Sequence, residues 1–164
     1  MLVPLHLYLA GPMTGITHYN FPTFDHAREE LRNHGYEVGC PAEMDRDEGF
    51  DPIANDYDGT ENLDKLGFDL KEAMLRDLTM ICNWADGLAV LPHWNRSSGA
   101  QAEVATAKAL NLPVRSVTDW MGLGHLHLDH LDQLQLDLEL NGVGVRSTND
   151  KPQRVQHHAR NDDG

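Results

Sequence analysis

Short apolar runs alternate with stretches of helical periodicity along most of the chain. Residues 5–10 (LHLYLA) form a mainly apolar run that includes Tyr8 and stops before Gly11, which predicts a buried strand. Apolar side chains recur every three or four residues in 21–33, which predicts a helix, and residues 36–40, which end before Pro41, predict a second strand. A strand, a helix and a strand in this order predict two parallel strands.

The same alternation resumes after an acidic stretch. Residues 43–62 are acidic, rich in turn formers and without a sustained period, so we expect a long loop of the mobile or functional kind. Helical spacing returns in 70–84 and predicts a second helix. The apolar residues that carry this spacing are Leu70, Met74, Leu75, Leu78 and Ile81.

Two further strands and one further helix complete the predicted domain. Residues 87–91 (GLAVL) predict a buried strand, 99–110 an Ala-rich helix, and 112–114 the entry to a last strand. We therefore expect an α/β fold in one domain over residues 1–118. Its open parallel sheet with flanking helices would be of the Rossmann or flavodoxin-like three-layer type.

The pattern changes after Thr118. Residues 119–144 contain leucines that alternate with polar side chains, and we expect a C-terminal extension whose structure the pattern does not define. Residues 145–164 are polar and poor in bulky apolar groups, which predicts a disordered tail.

Charge and composition narrow the classes of partner. The chain has 164 residues, of which 40% are hydrophobic, and a formal net charge of −13. The ordinary apolar fraction excludes wholesale disorder, and so acidic a protein repels long nucleic acid and anionic membranes. A single mononucleotide is compatible with this charge, because backbone amides and a helix dipole can hold one phosphate.

The cysteines and the N-terminus bear on the cellular location. Cys40 and Cys82 are too few for a disulfide framework and do not form a CxxC pair, so we expect two buried thiols in a reducing compartment. The chain lacks the basic region of a secretory signal, and no stretch approaches the roughly 20 apolar residues of a membrane span. We expect a cytoplasmic protein.

Two predicted loops follow the carboxyl ends of predicted strands, where open parallel sheets bind their ligands. They are residues 11–15 (GPMTG) and 94–99 (WNRSSG). The second runs straight into a helix, so we expect the amides around Ser98 to face a ligand with the positive end of the helix dipole behind them. Neither loop is a Walker motif or a GxGxxG sequence, so neither predicts ATP or NAD, and no cofactor is expected.

Three side chains are candidates for chemistry. Glu103 is the only ionisable residue in its helix before Lys108, and we expect a place in the first turn, which favours the carboxylate form. The alternative is a solvated glutamate that only complements the helix dipole. Asp77, which follows Arg76, is either a functional acid or one half of a surface ion pair. Tyr8 is either a site residue or a core aromatic whose hydroxyl finds any partner.

A histidine-rich sequence near the C-terminus is a candidate of another kind. His125-x-His127-x-x-His130, with Asp129, supplies residue types that bind metals. The spacing matches no ligand set known to us, and the surrounding leucines follow the ordinary alternation of that segment, so no metal site is expected. The serines of the second loop lack a nucleophile-elbow context, so no serine nucleophile is expected either.

Three motifs carry a resemblance to a known family. They are Tyr8-Leu9-Ala10-Gly11-Pro12-Met13-Thr14-Gly15, Arg76-Asp77-Leu78 and Ser97-Ser98-Gly99-Ala100-Gln101-Ala102-Glu103. Their order and spacing over residues 5–115 resemble the nucleoside 2-deoxyribosyltransferase superfamily, and more closely its phage and bacterial branch of the DUF4406 type. The resemblance implies an enzyme that acts on a small nucleotide or nucleoside and forms a homodimer or larger homo-oligomer.

The resemblance also implies roles for individual residues. Glu103 matches the carboxylate that attacks the anomeric carbon of the sugar, Asp77 the acid that handles the proton of the departing base, and Tyr8 the tyrosine that orients the nucleophile. These residue types suit the chemistry, because breaking an N-glycosidic bond develops oxocarbenium character. The residues expected to bind the substrate and its phosphate are Gly11, Pro12, Met13, Thr14, Gly15, Ser97, Ser98 and Gly99.

One position separates two branches of the superfamily. Six residues before the nucleophile, transferases of free nucleosides resemble one another in having Asp, whereas nucleoside 5′-monophosphate hydrolases have a Ser that helps to hold the phosphate. Ser97 therefore implies hydrolysis of a (deoxy)nucleoside 5′-monophosphate to free base and (deoxy)ribose 5-phosphate. The alternatives are a transferase that exchanges bases and a nucleotide sensor without catalysis, although a sensor needs neither Glu103 nor Asp77. The acidic stretch at 43–62 leaves the base preference open.

Overall fold

The computed structural model describes residues 4–124. In this part of the chain one parallel sheet contains β1 (His6–Ala10), β2 (Glu37–Gly39), β3 (Gly87–Val90) and β4 (Val114–Ser116). The helices are α1 (Phe21–Asn33), α2 (Pro41–Asp47), α3 (Leu70–Asn83) and α4 (Ser98–Ala109), and residues 117–124 are also helical. The strand order is β2-β1-β3-β4, which confirms the predicted open parallel α/β fold.

Alternate positions of β1 fill the two cores on opposite faces of the sheet. Leu7 and Leu9 belong to a core that includes the buried face of α1. Tyr8 and Ala10 belong to a second core, made with α3 and α4. Because successive side chains of a strand point to opposite faces, Tyr8 is directed towards the two helices that carry Asp77 and Glu103.

The two central strands stay paired to their carboxyl ends, but the connections that follow them lead to opposite sides of the sheet. From β1 the chain passes to β2 at one side of the sheet, and from β3 it passes to β4 at the other. Such a reversal leaves a crevice beyond the strand ends, where α/β proteins bind ligands. The loops pack closely there: a Cβ atom at Gly11 would lie 2.8 Å from the side chain of Leu91, so only glycine fits.

The acidic stretch is helical where it begins, which corrects the prediction of a loop over 43–62. Helix α2 occupies Pro41–Asp47, with Pro at its first position. Two turns are too short to show a period, and ion pairs to neighbouring helices hold it in place. Arg32 pairs with Glu43 over 2.7 Å, and Arg76 with Asp45 over 2.7 Å.

Helix α3 buries a different face from the one its leucines indicate. Leu70 and Leu75 are 58% and 69% exposed, whereas the buried residues are Ala73, Asp77 and Ile81. These three positions are four residues apart and therefore lie on one face. A pattern read from apolar residues alone assigns an acid to the solvent side, which is why it missed this face.

The described region ends inside the domain core. Trp120 lies in the helical residues 117–124 and is buried, and its indole N–H donates to the carbonyl of Leu88 over 2.7 Å. Cys40 is buried, but Cys82 is exposed because it lies on the outer face of α3, so the expectation of two buried thiols was wrong for Cys82. Within residues 4–124, no helix has the length and apolar character needed to cross a membrane.

The remaining predictions for the C-terminal part fall outside the described residues. They concern the extension over 119–144 from residue 125 onward, the tail at 145–164, and the histidines at 125, 127 and 130.

Candidate active site

A cavity of about 180 Å³ opens beyond the carboxyl ends of β1 and β3. Both predicted loops reach it, together with α3 and α4, so it occupies the crevice where the strand order reverses. The predicted site residues that line it are Gly11, Met13, Thr14, Asp77, Ser97, Ser98, Gly99 and Glu103. Tyr8 has no exposed surface and is linked to the cavity through its hydroxyl, which bonds to Glu103 and also influences the pKa of Asp77.

Two predicted loop residues lie elsewhere. Pro12 lines an adjoining cavity, and its carbonyl accepts a hydrogen bond from the Asn20 side chain over 2.8 Å. Gly15 is not among the lining residues of either cavity; its φ is +79°, and its N–H donates to the carbonyl of Gly59 over 2.8 Å. Gly15 therefore anchors the first loop to the segment that follows α2.

Glu103 is buried inside the second turn of α4. The helix begins at Ser98 and has no acidic residue in its first turn, so the expected first-turn position was wrong. Only 6% of Glu103 is exposed, which also contradicts the alternative of a solvated glutamate. The Tyr8 hydroxyl donates to Oε1 of Glu103 over 2.9 Å and fixes the carboxyl group against the cavity.

Burial reverses the expected electrostatics of Glu103. Desolvation and the nearby charge of Asp77 raise the pKa of Glu103 to about 8, and the hydrogen bond from Tyr8 only partly lowers it. The pKa of Tyr8 is raised well above its usual range for the same two reasons, burial and a neighbouring carboxylate. The surroundings of Glu103 thus favour its protonated form, contrary to the expectation from the helix dipole.

Asp77 does pair with its neighbour, but the pair is not on the surface. Asp77 is 7% exposed, and Arg76 donates to its Oδ1 from Nε and Nη2, each over 3.0 Å. Burial raises the pKa of Asp77, and Arg76 and the Tyr8 hydroxyl lower it. The interpretation as a surface ion pair was therefore wrong, and two interacting carboxyl groups face one cavity.

Asp45, which sequence reasoning missed, supplies a third carboxyl group. It lies on α2, is 3% exposed and lines the same cavity. Nη2 of Arg76 donates to Oδ1 of Asp45 over 2.7 Å and also to Asp77, so one nitrogen links the two acids. Burial raises the pKa of Asp45 to about 6 although Arg76 lowers it. Asp45 stands in the run EMDRDE, where nothing in the sequence distinguishes it from its neighbours.

A strained turn places Tyr19 at the cavity. His18, Tyr19 and Asn20 have φ values of 54°, 50° and 61°, three successive left-handed residues of a kind that costs roughly 1–2 kcal/mol each. Hydrogen bonds hold the turn: the Tyr19 hydroxyl donates to the carbonyl of Glu61 over 3.1 Å, and Asn20 donates to the first loop. Such strain is typical of functional sites.

Aromatic residues form the wall of the cavity beside Tyr19. Phe50 lies between Tyr19 and Phe68, with ring centroids 5.4 Å and 4.7 Å away. Leu63 lines the same side. Phe50, Leu63 and Phe68 come from the segment between α2 and α3, whose lack of a period concealed this role in the sequence.

The second cavity, of about 570 Å³, adjoins the N-terminus of α4. Its lining shares Met13, Thr14, Ser97 and Ser98 with the first cavity and adds the side chains of His93 and Arg96. Within residues 4–124, Arg96 forms no ion pair, and no hydrogen bond is donated by the amides of Ser98 and Gly99. Ser97 caps the helix by accepting from the amide of Ala100 over 3.3 Å.

The raised pKa of Glu103 predicts a pH-dependent stability. Its ordinary value is 4.5 and its value in the folded protein is about 8, so the folded protein holds the proton more tightly than the unfolded chain. The free energy of unfolding therefore falls as pH rises between these values. We expect Glu103→Gln, which has no charge and keeps an oxygen for Tyr8, to be more stable than the parent protein at pH 8, by at least about 2 kcal/mol at ~1.4 kcal/mol per pKa unit.

Chemical denaturation of both proteins between pH 5 and pH 8 measures this effect. The two stabilities should converge towards pH 5, where Glu103 is protonated in the folded protein, and separate as the pH rises. Glu29→Gln, on the exposed surface of α1, is the matched control and should show no such divergence. A difference between Glu103→Gln and the parent that does not change with pH would contradict the prediction.

Comparison with known proteins places the chain in a family. Among residues 4–124, no three His, Cys, Asp or Glu side chains are arranged to hold a metal ion. No curated protein and no solved structure matches the chain. The family model described as Domain of unknown function (DUF4406) matches residues 5–116, and the chain belongs to this family.

Proposed function

We propose that this protein is an N-glycosidase that hydrolyses a (deoxy)nucleoside 5′-monophosphate to free base and (deoxy)ribose 5-phosphate. The observation that carries the proposal is the pair of buried carboxyl groups in one cavity. Glu103, held by the Tyr8 hydroxyl, and Asp77, held by Arg76, both face the space where a ligand would lie. Cleavage of an N-glycoside needs one carboxylate for the sugar and one acid for the base.

In the first step, an oxygen of Glu103 attacks C1′ of the sugar. The C1′–N bond breaks, its electron pair goes to the base, and the base takes the proton of Asp77. A glycosyl ester of Glu103 and an ionised Asp77 remain. The reactive form therefore has Glu103 ionised and Asp77 protonated, one proton shared between two coupled groups.

In the second step, water attacks C1′ of the ester. Its proton passes to the carboxylate of Asp77, the bond between C1′ and Glu103 breaks, and the C1′ hydroxyl of the sugar phosphate forms. Both acids return to their starting states. A deoxyribosyltransferase differs only in that a second base, rather than water, attacks the ester.

The second loop offers a place for the 5′-phosphate in a protein that is otherwise strongly acidic. The amides of Ser98 and Gly99, which donate no hydrogen bond to any residue in 4–124, lie at the positive end of α4, and Arg96 lines the adjoining cavity. A phosphate there would lie about one and a half helical turns from Glu103 on the same helix. This arrangement supports a 5′-monophosphate rather than a free nucleoside.

The purified protein is to be incubated with nucleosides and with nucleoside 5′-monophosphates, with and without a free acceptor base. We expect release of base and sugar phosphate from monophosphates only. Base exchange without free sugar would instead indicate a transferase, and tight binding with no release at all would indicate a sensor.

Ser97→Asp tests the phosphate position. Aspartate caps a helix as well as serine does, so the fold should be retained, but its charge would lie beside the phosphate. Because like charges in contact cost several kcal/mol, we expect kcat/KM for monophosphates to fall at least about 10-fold. The measurement is the ratio of kcat/KM for a monophosphate to that for its nucleoside.

Ser97→Asn is the neutral control, since asparagine also caps a helix. It should change the ratio much less than Ser97→Asp does. If the ratio of kcat/KM for a monophosphate to that for its nucleoside is the same in Ser97→Asp as in the parent protein, the phosphate does not lie at Ser97.

A further inference from the structure

Only one of the two carboxylate oxygens of Asp45 accepts a hydrogen bond from a residue in 4–124. Oδ1 accepts from Arg76, whereas Oδ2 accepts no hydrogen bond from any residue in 4–124. Only 4% of the side chain is exposed, and Asp45 lines the cavity. Oδ2 is therefore an acceptor that no residue in 4–124 uses, on a carboxyl group that lines the cavity, and a ligand group that donates a hydrogen bond could pair with it.

Asp45 and Asp77 are linked through Arg76 and differ in protonation state in the proposed reaction. Arg76 bonds both through one nitrogen and keeps its positive charge at all relevant pH values. Arg76 also pairs with the exposed Glu48 over 2.9 Å, so one guanidinium serves three carboxyl groups, and a proton on one of the two buried acids lowers their mutual repulsion. The proposed reaction requires the proton on Asp77, which leaves Asp45 ionised. On this side of the cavity, Asp77 is then a hydrogen-bond donor and the neighbouring Asp45 is an acceptor.

We propose that Asp45 selects the base, accepting a hydrogen bond from an amino group adjacent to the ring nitrogen that Asp77 protonates. The substrate would then carry a 6-aminopurine or a 4-aminopyrimidine, and the corresponding oxo bases would be rejected. This inference rests on the proposed function of the same site.

The chemistry of the bases makes the discrimination sharp. Adenine presents the N6 amino donor beside the N7 acceptor, and cytosine presents the N4 amino donor beside N3, whereas thymine and guanine present a carbonyl oxygen at the corresponding position. A carbonyl oxygen opposite Oδ2 of Asp45 places two acceptors in contact, and the carboxylate oxygen keeps no partner. Phe50 and Phe68 line the same cavity and offer aromatic faces against which a base can pack.

Pairs of nucleotides that differ in this group test the inference, and the purine pair is the cleaner one because N7 is an acceptor in both members, whereas N3 carries a hydrogen in uridine but not in cytidine. Adenosine monophosphate is compared with inosine monophosphate, and cytidine monophosphate with uridine monophosphate, each with ribose and with deoxyribose. We expect kcat/KM for the amino member of at least one pair to exceed that for the oxo member by about 10- to 100-fold. Similar values within both pairs would overturn the inference.

A substitution at Asp45 tests which residue makes the choice. In Asp45→Asn, the amide oxygen can still accept from Arg76, and the NH₂ group can donate to an oxo base. The preference for the amino member should therefore fall about 10-fold or reverse. Asp47→Asn, an exposed change on the same helix, should leave the preference unchanged.

Equilibrium binding separates this inference from the proposed function. The same nucleotide pairs are titrated calorimetrically into Glu103→Gln, and into that variant combined with Asp45→Asn. Tighter binding of the amino member that disappears with Asp45→Asn supports the inference, whether or not the parent protein releases base. Equal affinities for the amino and oxo members of both pairs would overturn the inference. A lack of turnover by the parent protein would count only against the proposed N-glycosidase activity.

Discussion

Base release from nucleoside monophosphates is expected to fall at least about 10³-fold in Glu103→Gln, to near the limit of detection. An amide oxygen is a poor nucleophile and carries no charge to stabilise the developing oxocarbenium ion. The substitution keeps the shape of the side chain and an acceptor for the Tyr8 hydroxyl. The fall in rate is measured by monitoring the release of free base chromatographically under single-turnover and steady-state conditions.

Binding and a matched variant distinguish loss of chemistry from loss of fold. Nucleotide affinity of Glu103→Gln should stay within about 10-fold of that of the parent protein, because the phosphate and base contacts are unchanged. Glu29→Gln makes the same chemical change on the exposed face of α1 and should retain full activity. Turnover by Glu103→Gln near the parent rate would remove Glu103 from the mechanism.

Local sequence patterns were sufficient for the scaffold of the site. The apolar runs of β1 and β3 and the small residues after them define two strand ends with loops, and parallel topology brings those loops to one edge of the sheet. The alternation of β1 then directs Tyr8 to the face covered by α3 and α4. These features depend on short-range rules, so they can be predicted from one sequence.

The acids of the site were harder to predict because burial is a long-range property. Asp77 occupies the buried face of α3, where an apolar pattern has no place for a charge, and Asp45 lies on a helix too short to show a period. Their common partner, Arg76, is 31 residues from Asp45 in sequence. Only the packed fold shows that a single guanidinium serves both.

The electrostatics of the cavity are complementary to a positively charged reaction centre. Asp45, Asp77 and Glu103 face the cavity, and the guanidinium of Arg76 bonds the first two of them. The pKa values of all three acids are raised, chiefly by burial, which means that the site resists full ionisation. In the proposed reaction, positive charge develops at C1′ and would stabilise the ionised carboxylates. This stabilisation would be larger in the transition state than in the ground state.

The second large effect is expected at Asp77. Asp77→Asn cannot give a proton to the departing base, so base release from natural nucleotides should fall by about 10²- to 10⁴-fold, the usual contribution of a general acid. A sugar 5-phosphate with a 4-nitrophenoxy group at C1′ needs no such proton, because its C1′–O bond breaks to release nitrophenolate, a stable leaving group. The variant should therefore cleave this compound at a rate within about 10-fold of the parent protein.

The pH profile of Asp77→Asn gives an independent test of the coupling. The charge of Asp77 raises the pKa of Glu103, so its removal should lower that pKa and move the limb of nitrophenyl cleavage that requires ionised Glu103 to lower pH. Arg76 keeps its bond to Asp45 in the variant, which preserves the local structure. The contrary result is that Asp77→Asn cleaves natural nucleotides and the nitrophenyl compound with equally reduced rates and an unchanged pH profile. Asp77 would then be a structural residue rather than the acid.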